Sequence, residues 1–234
     1  MSDIKISDFK MFEKAPYEEP DPRVLTELVI SGVRGEEKIY GPVFTARVIK
    51  HALNFMAQKG EEVPQDIKDL DQLKEYLLSK SDKCRPYCVA MYAQVKAENE
   101  LQGQTGAGTR VEMMNMTKKA VELAGTKINR ILDIDAIMQR IRQVGVSMKL
   151  VASEMGYKKN GDGSLDLIYI RCPFLDACQL ASDEGLLKRP DGRARCGVLG
   201  EFGCQLLKLY TSYEWDYERL EAYKPHCIVR LCMI

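Results

Sequence analysis

The chain lacks an excess of charge of either sign, because 34 lysine and arginine residues balance 34 aspartate and glutamate residues. It has no Lys/Arg block of the kind that follows a phosphate backbone, so nucleic acid is not an expected partner. It also has no run approaching the roughly 18 apolar residues of a membrane-spanning helix. The N-terminal segment is polar and acidic, where a secretory signal is basic and then apolar. We therefore expect a cytoplasmic protein with no membrane partner.

Histidine is scarce, with two residues, whereas cysteine is abundant, with eight. Most thiols in the cytoplasm are kept reduced, which disfavours a disulfide framework. The cysteines are better interpreted as buried small hydrophobes, metal ligands or catalysts. Six of the eight lie in the C-terminal part of the chain: Cys172, Cys178, Cys196, Cys204, Cys227 and Cys232.

The composition, with 45% hydrophobic residues in 234, is enough for an ordinary core in one or two domains. Residues 1–22 contain three prolines and no sustained periodicity, which predicts an arm on the surface. Residues 23–104 have helical periodicity. A glycine-rich segment then precedes residues 105–234, which we interpret as a cysteine-rich α/β ligand-binding domain. The predicted class is α+β, with a helical N-terminal part followed by an antiparallel sheet covered by helices.

Four elements are predicted in the C-terminal part. Residues 133–155 carry an apolar stripe that predicts one long helix. Residues 165–172 are rich in β-branched and aromatic side chains, which predicts a strand that places Cys172 on the face of Ile168 and Ile170. Residues 195–211 predict a helix, and residues 213–234 predict a closing antiparallel hairpin.

The cysteines of this part define the candidate site. Their spacings along the chain match no zinc ribbon, which needs repeated close pairs. Packing of a strand, a helix and a hairpin brings distant thiols together, so we expect Cys172, Cys196, Cys204 and Cys227 to share one pocket. They could then bind zinc or an iron-sulfur cluster, or Cys172 could act as a nucleophile with His226. Buried, inert thiols remain the structural alternative.

The predicted helix around Cys196 and Cys204 also contains Gly197, Gly200 and Gly203. Each glycine costs about 1 kcal/mol of helix stability relative to alanine. Close approach of a neighbouring backbone explains such a repeat, and so does close approach of a ligand or cluster.

Two short motifs carry a resemblance over roughly residues 105–234. The strand end Arg171-Cys172-Pro173-Phe174 and the late strand Cys227-Ile228-Val229-Arg230-Leu231 resemble the L-2-amino-thiazoline-4-carboxylic acid hydrolase-like family. The pattern is also similar to the vinyl-reductase, or hydrocarbon-binding, domain, which has a further cysteine where this chain has 219–221. Both resemblances imply an α/β domain with a pocket between helix and sheet, and the positions that match best are Cys172 and Cys227.

We therefore expect a small-molecule-binding, hydrolase-like protein with a cysteine-lined metal, iron-sulfur or nucleophile site. The alternative is a non-catalytic sensor or carrier of an apolar small molecule in the same cavity. A third class is an interaction protein with inert cysteines. The expected partner is a small-molecule ligand, and a homodimer is compatible with each interpretation.

Overall fold

The computed structural model describes residues 4–102, 107–125, 129–131, 133–151, 154–189, 191–196, 199–221 and 226–234. It confirms the α+β class, with helices in the N-terminal part and a five-stranded antiparallel sheet that takes four of its strands from the C-terminal part. The elements in chain order are a short 3-10 turn (Ile6–Asp8), β1 (Lys10–Met11), α1 (Pro22–Tyr40), α2 (Pro42–Gln58), α3 (Leu70–Ser79), α4 (Pro86–Gln102), α5 (Ala107–Leu123), α6 (Ile134–Ser147), β2 (Met155–Lys159), β3 (Leu165–Ile170), α7 (Leu175–Asp183), α8 (Leu199–Thr211), β4 (Trp215–Glu221) and β5 (His226–Met233).

The chain forms two compact units, and each is assembled from separate stretches of sequence. We name them the sheet unit (Met1–Pro20, Ala120–Leu175 and Arg193–Ile234) and the helical unit (Asp21–Lys119 and Asp176–Gly192). This division differs from the contiguous one at residues 104 and 105 that the sequence predicted. No helix within the described ranges combines the length and the apolar character needed to cross a membrane.

The helical unit begins with an N-cap that the sequence specifies. The side chain of Asp21 accepts hydrogen bonds from the backbone N–H groups of Arg23 and Val24, and Pro22 occupies the first turn, where its missing N–H is harmless. Gly41 separates α1 from α2 with a φ of 77°, a left-handed conformation that glycine adopts without strain. The helices bury their apolar faces in a core of their own.

The sheet unit is built on strands in the order β1-β2-β3-β5-β4, all antiparallel. Its two faces differ. One face packs against α6 and α8 in the main core, which includes Leu167, Tyr169, Val229 and Leu231. The opposite face carries a small cluster of Phe9, Ile168 and Ile228. The helix-covered face is therefore where an internal cavity can form.

The prediction of one helix over residues 133–155 is wrong, because α6 ends at Ser147. Lys149 adopts a φ of 52°, its N–H donates to the carbonyl of Val146, and the Leu150 N–H donates to the carbonyl of Gly145 at 2.8 Å. This pair of bonds is a Schellman motif, which terminates a helix. Met155 then starts β2 instead of continuing the stripe.

Residues 4–20 are more than the surface arm that their prolines predicted. Lys10 and Met11 form β1, which pairs with Tyr157 and Gly156 of β2. Phe9 and Phe12 are buried in the clusters on opposite faces of the sheet. The segment therefore contributes an edge strand and two core aromatic residues.

Candidate functional site

A cavity of about 60 Å³ lies between the sheet and helices α6 and α8. Its wall is almost wholly aliphatic or aromatic, with contributions from Val144 of α6, Phe202 of α8 and Leu167 of β3. Of the described residues that line it, Tyr169 and Tyr210 alone carry a polar side-chain oxygen. Cavities with this lining exclude water and take up apolar molecules.

Tyr169 is the residue that joins the cavity to the cysteines. Burial raises the pKa of Tyr169, and the nearby thiols of Cys196, Cys172 and Cys204 raise it further. Its phenol therefore stays protonated at neutral pH and keeps an O–H to donate. Tyr169 also lines the cavity. A ligand in the cavity can accept this bond.

Cys172 lies on the helix-covered face, whereas strand alternation predicted that it would share the face of Ile168 and Ile170. It packs against the main core, and Ile170 packs against the small cluster. The reason is that β3 ends at Ile170 and Arg171 adopts a φ of 59°, which breaks the alternation. The prediction of the face was wrong, but the correction brings Cys172 toward Tyr169.

Cys196 and Cys204 belong to the same neighbourhood. Cys196 packs against the main core just before α8, and its Sγ accepts a hydrogen bond from the Gly200 N–H at 3.2 Å. Cys204, within α8, is buried in that core. The helix around them begins at Leu199 instead of 195.

Cys227 and His226 are neighbours on β5 with side chains on opposite faces. Cys227 is directly opposite Tyr169 in the strand pairing, so both lie on the helix-covered face. His226 is opposite Ile170 and shares the face of Ile228. The structure therefore gathers four cysteines on one side of the sheet and places His226 on the other side from Cys172.

Gathering these thiols does not by itself make a metal site. Across the described ranges, no group of three or more His, Cys, Asp or Glu side chains is close enough together to hold a metal ion. The four cysteines that the sequence predicted to bind zinc or an iron-sulfur cluster are not close enough together in this arrangement to hold either of them.

The glycines of α8 have a structural explanation. A Cβ on Gly200 would lie 2.7 Å from Cδ2 of Tyr217, and one on Gly203 would lie 3.3 Å from Cδ1 of Leu231. Both glycines let α8 approach the side chains of the sheet closely. Gly197 lies outside the described residues.

Tyr169 was missed as a site residue in the sequence. Its alternation with Leu165 and Leu167 indicates a buried strand position, and nothing local distinguishes it from a core tyrosine. Comparisons with models of known protein families, with curated proteins and with solved structures found no match. The site therefore has to be interpreted from its own geometry.

Proposed function

We propose that this protein binds an apolar small molecule in the cavity between the sheet and helices α6 and α8. The observation that carries the proposal is the cavity itself, which is lined almost wholly by apolar side chains and has Tyr169 in its wall. The preferred ligand has an apolar body and one oxygen that accepts a hydrogen bond from Tyr169. A sensor or carrier of such a molecule needs nothing more from the site.

The size and polarity of the cavity support this proposal. One water needs roughly 10–15 Å³ of such space, so the 60 Å³ here exceeds a single water several-fold. Water would find few hydrogen-bond partners against this lining. An apolar ligand therefore enters without displacing well-bonded water, which favours binding.

A matched pair of substitutions on α6 tests the proposal. Val144 lines the cavity, whereas Val146 faces the opposite side of the helix, in a separate groove. We expect Val144→Phe to fill the cavity and abolish binding, and Val146→Phe to leave it intact. Binding is measured by NMR titration with acetone and with its carbonyl-free analogue isobutene, probes of four heavy atoms that suit a cavity of about 60 Å³.

Tyr169→Phe tests the hydrogen bond separately. The wild type should bind acetone about tenfold more tightly than isobutene, because only the ketone accepts from Tyr169. The Tyr169→Phe variant should bind the two equally. Failure of both probes to bind, or equal binding to the Val144→Phe variant, would contradict the proposal.

A thiol-dependent hydrolase is the second candidate, and the hydrogen bond from the Gly200 N–H to Cys196 favours it. Such a bond at the start of a helix stabilises a thiolate, which is the nucleophilic form. Cys172, predicted to act with His226, lies on the other side of the sheet from that histidine. Alkylation with iodoacetamide at neutral pH should modify Cys196 before the other cysteines, and preferential modification elsewhere argues against this candidate.

The resemblance to the thiazoline-carboxylate hydrolase-like and hydrocarbon-binding patterns supports both candidates, because each has a pocket between helix and sheet. We also propose a cytoplasmic location, which the cysteine content supports, since thiols are kept reduced there. Localisation of the tagged full chain by fractionation tests that proposal.

A further inference from the structure

A second concave site lies on the far side of α6 from the apolar cavity. It is a groove of about 740 Å³ between α6 and residues 11–16 of the sheet unit. Unlike the apolar cavity, it is lined in large part by polar and charged residues, among them Glu13, Lys14, Gln139, Arg142 and Gln143. This contrast indicates a polar ligand.

Arg142 is the unusual residue of this groove. Only 5% of its surface is exposed. Its Nη2 donates to the backbone carbonyl of Glu13 at 3.0 Å. Its Nε and Nη1 are buried, and neither has a hydrogen-bond partner within the part of the chain that the structure describes.

A buried guanidinium needs hydrogen-bond acceptors for its N–H groups. Arginine stays charged in proteins and carries five N–H donors, of which one is used here. A buried charge without a counter-charge costs several kcal/mol, so buried arginines are normally paired. Burial lowers the pKa of Arg142, with Tyr17 acting in the opposite direction, but the group remains a cation.

We propose that Arg142 anchors a binding site for a small oxyanion, a carboxylate or a phosphate group, in the groove between α6 and residues 11–16. The planar guanidinium matches the paired oxygens of both anions. Lys14 adds a second cation to the groove wall, and Gln139 and Gln143 offer amide donors. Because Nε and Nη1 are buried, the chain around Glu13 moves aside when the anion enters.

The test is a titration of the full chain with sodium phosphate, sodium acetate and sodium chloride at equal ionic strength. Binding is followed by thermal unfolding and by the side-chain Nε–H resonance of Arg142 in NMR. We expect saturable stabilisation and a shifted Nε–H signal with phosphate, acetate or both. The comparison of phosphate with acetate identifies which oxyanion the site prefers.

Arg142→Met removes the charge and keeps much of the volume, and Arg140→Met removes an exposed arginine from the same helix. Arg142→Met should weaken anion binding roughly tenfold or more, and Arg140→Met should leave it unchanged. An equal response to chloride, or unchanged binding by Arg142→Met, overturns the proposal. If Arg142→Met does not fold, the wild type alone still tests the proposal. An Arg142 Nε–H resonance that shifts with neither phosphate nor acetate overturns the proposal.

Discussion

At the residue scale, the absence of a side chain at Gly200 lets α8 pack closely on the sheet. A Cβ there would lie 2.7 Å from Cδ2 of Tyr217 and 2.9 Å from Cβ of Cys196. Gly200→Ala should lower the free energy of unfolding by about 1–3 kcal/mol, the usual cost of overpacking a core. Urea denaturation measures the change.

The control for Gly200→Ala is Gly161→Ala, at a position where a Cβ would meet nothing within 4 Å. Gly161→Ala should leave the free energy of unfolding nearly unchanged. If both variants unfold at the same urea concentration as the wild type, α8 is held less closely than the structure indicates.

Sequence patterns indicated that the glycines of the 195–211 segment serve a close approach, and Tyr217 and Leu231 are the neighbours concerned. The pattern could not identify them, because both come from distant strands. It also misplaced Cys172. Alternation assumes a continuous strand, but the positive φ of Arg171 interrupts the strand. Glycine and asparagine are the residues that usually signal a positive φ, and neither occupies this position.

At the element scale, the edge strand β1 depends on a glycine in its partner. A Cβ on Gly156 would lie 2.5 Å from Sδ of Met11 and 3.0 Å from the backbone carbonyl oxygen of Lys10. Because a backbone atom cannot yield as a flexible side chain can, Gly156→Ala should separate β1 from β2. Amide hydrogen exchange should then accelerate at Phe12, whose N–H donates to the carbonyl of Met155 at 3.0 Å, as the β1–β2 pairing is lost.

The same Gly161→Ala variant serves as the control, since Gly161 lies in the turn between β2 and β3 and away from β1. Exchange at Phe12 should accelerate in Gly156→Ala alone. Unchanged protection of the Phe12 amide in Gly156→Ala would contradict the role given to the glycine.

Element types were easier to predict than element ends. The strand at residues 165–170 and the final hairpin follow from β-branched residues and alternation. The end of α6 could not be predicted in this way, because its Schellman motif has Lys149 at the position where glycine usually occurs. β1 is two residues long and pairs with a strand far along the chain, so no local pattern reveals it.

At the scale of the whole molecule, the sequence could not show which stretches fold together. The segment Asp176–Gly192 follows β3 in the chain but belongs to the helical unit. Its contacts explain why. The hydroxyl of Tyr92 donates to Oε1 of Glu184 at 2.6 Å, and Nζ of Lys96 donates to Oε2 of Glu184 at 2.9 Å. These partners are separated by about ninety positions, beyond the reach of any periodicity.

Glu184→Gln tests whether this contact holds the segment in the helical unit. Burial alone would raise the pKa of Glu184, but hydrogen bonds from Tyr92 and Lys96 outweigh it and lower that pKa below the ordinary 4.5. A lowered carboxyl pKa contributes stability that is full above 4.5 and is lost as the pH falls through the lowered value. Because the carboxylate is partly exposed, we expect Glu184→Gln to cost about 1 kcal/mol at pH 7.

The difference between the wild type and Glu184→Gln should shrink as the pH falls below 4.5, because the wild-type carboxylate then takes up a proton and becomes neutral like the amide. Chemical denaturation at a series of pH values measures it. Glu75→Gln, an exposed position on α3 of the same unit, is the control and should leave the free energy of unfolding at pH 7 nearly unchanged. A difference that persists undiminished well below the lowered pKa means that the stabilisation comes from the shape of the side chain and not from its charge.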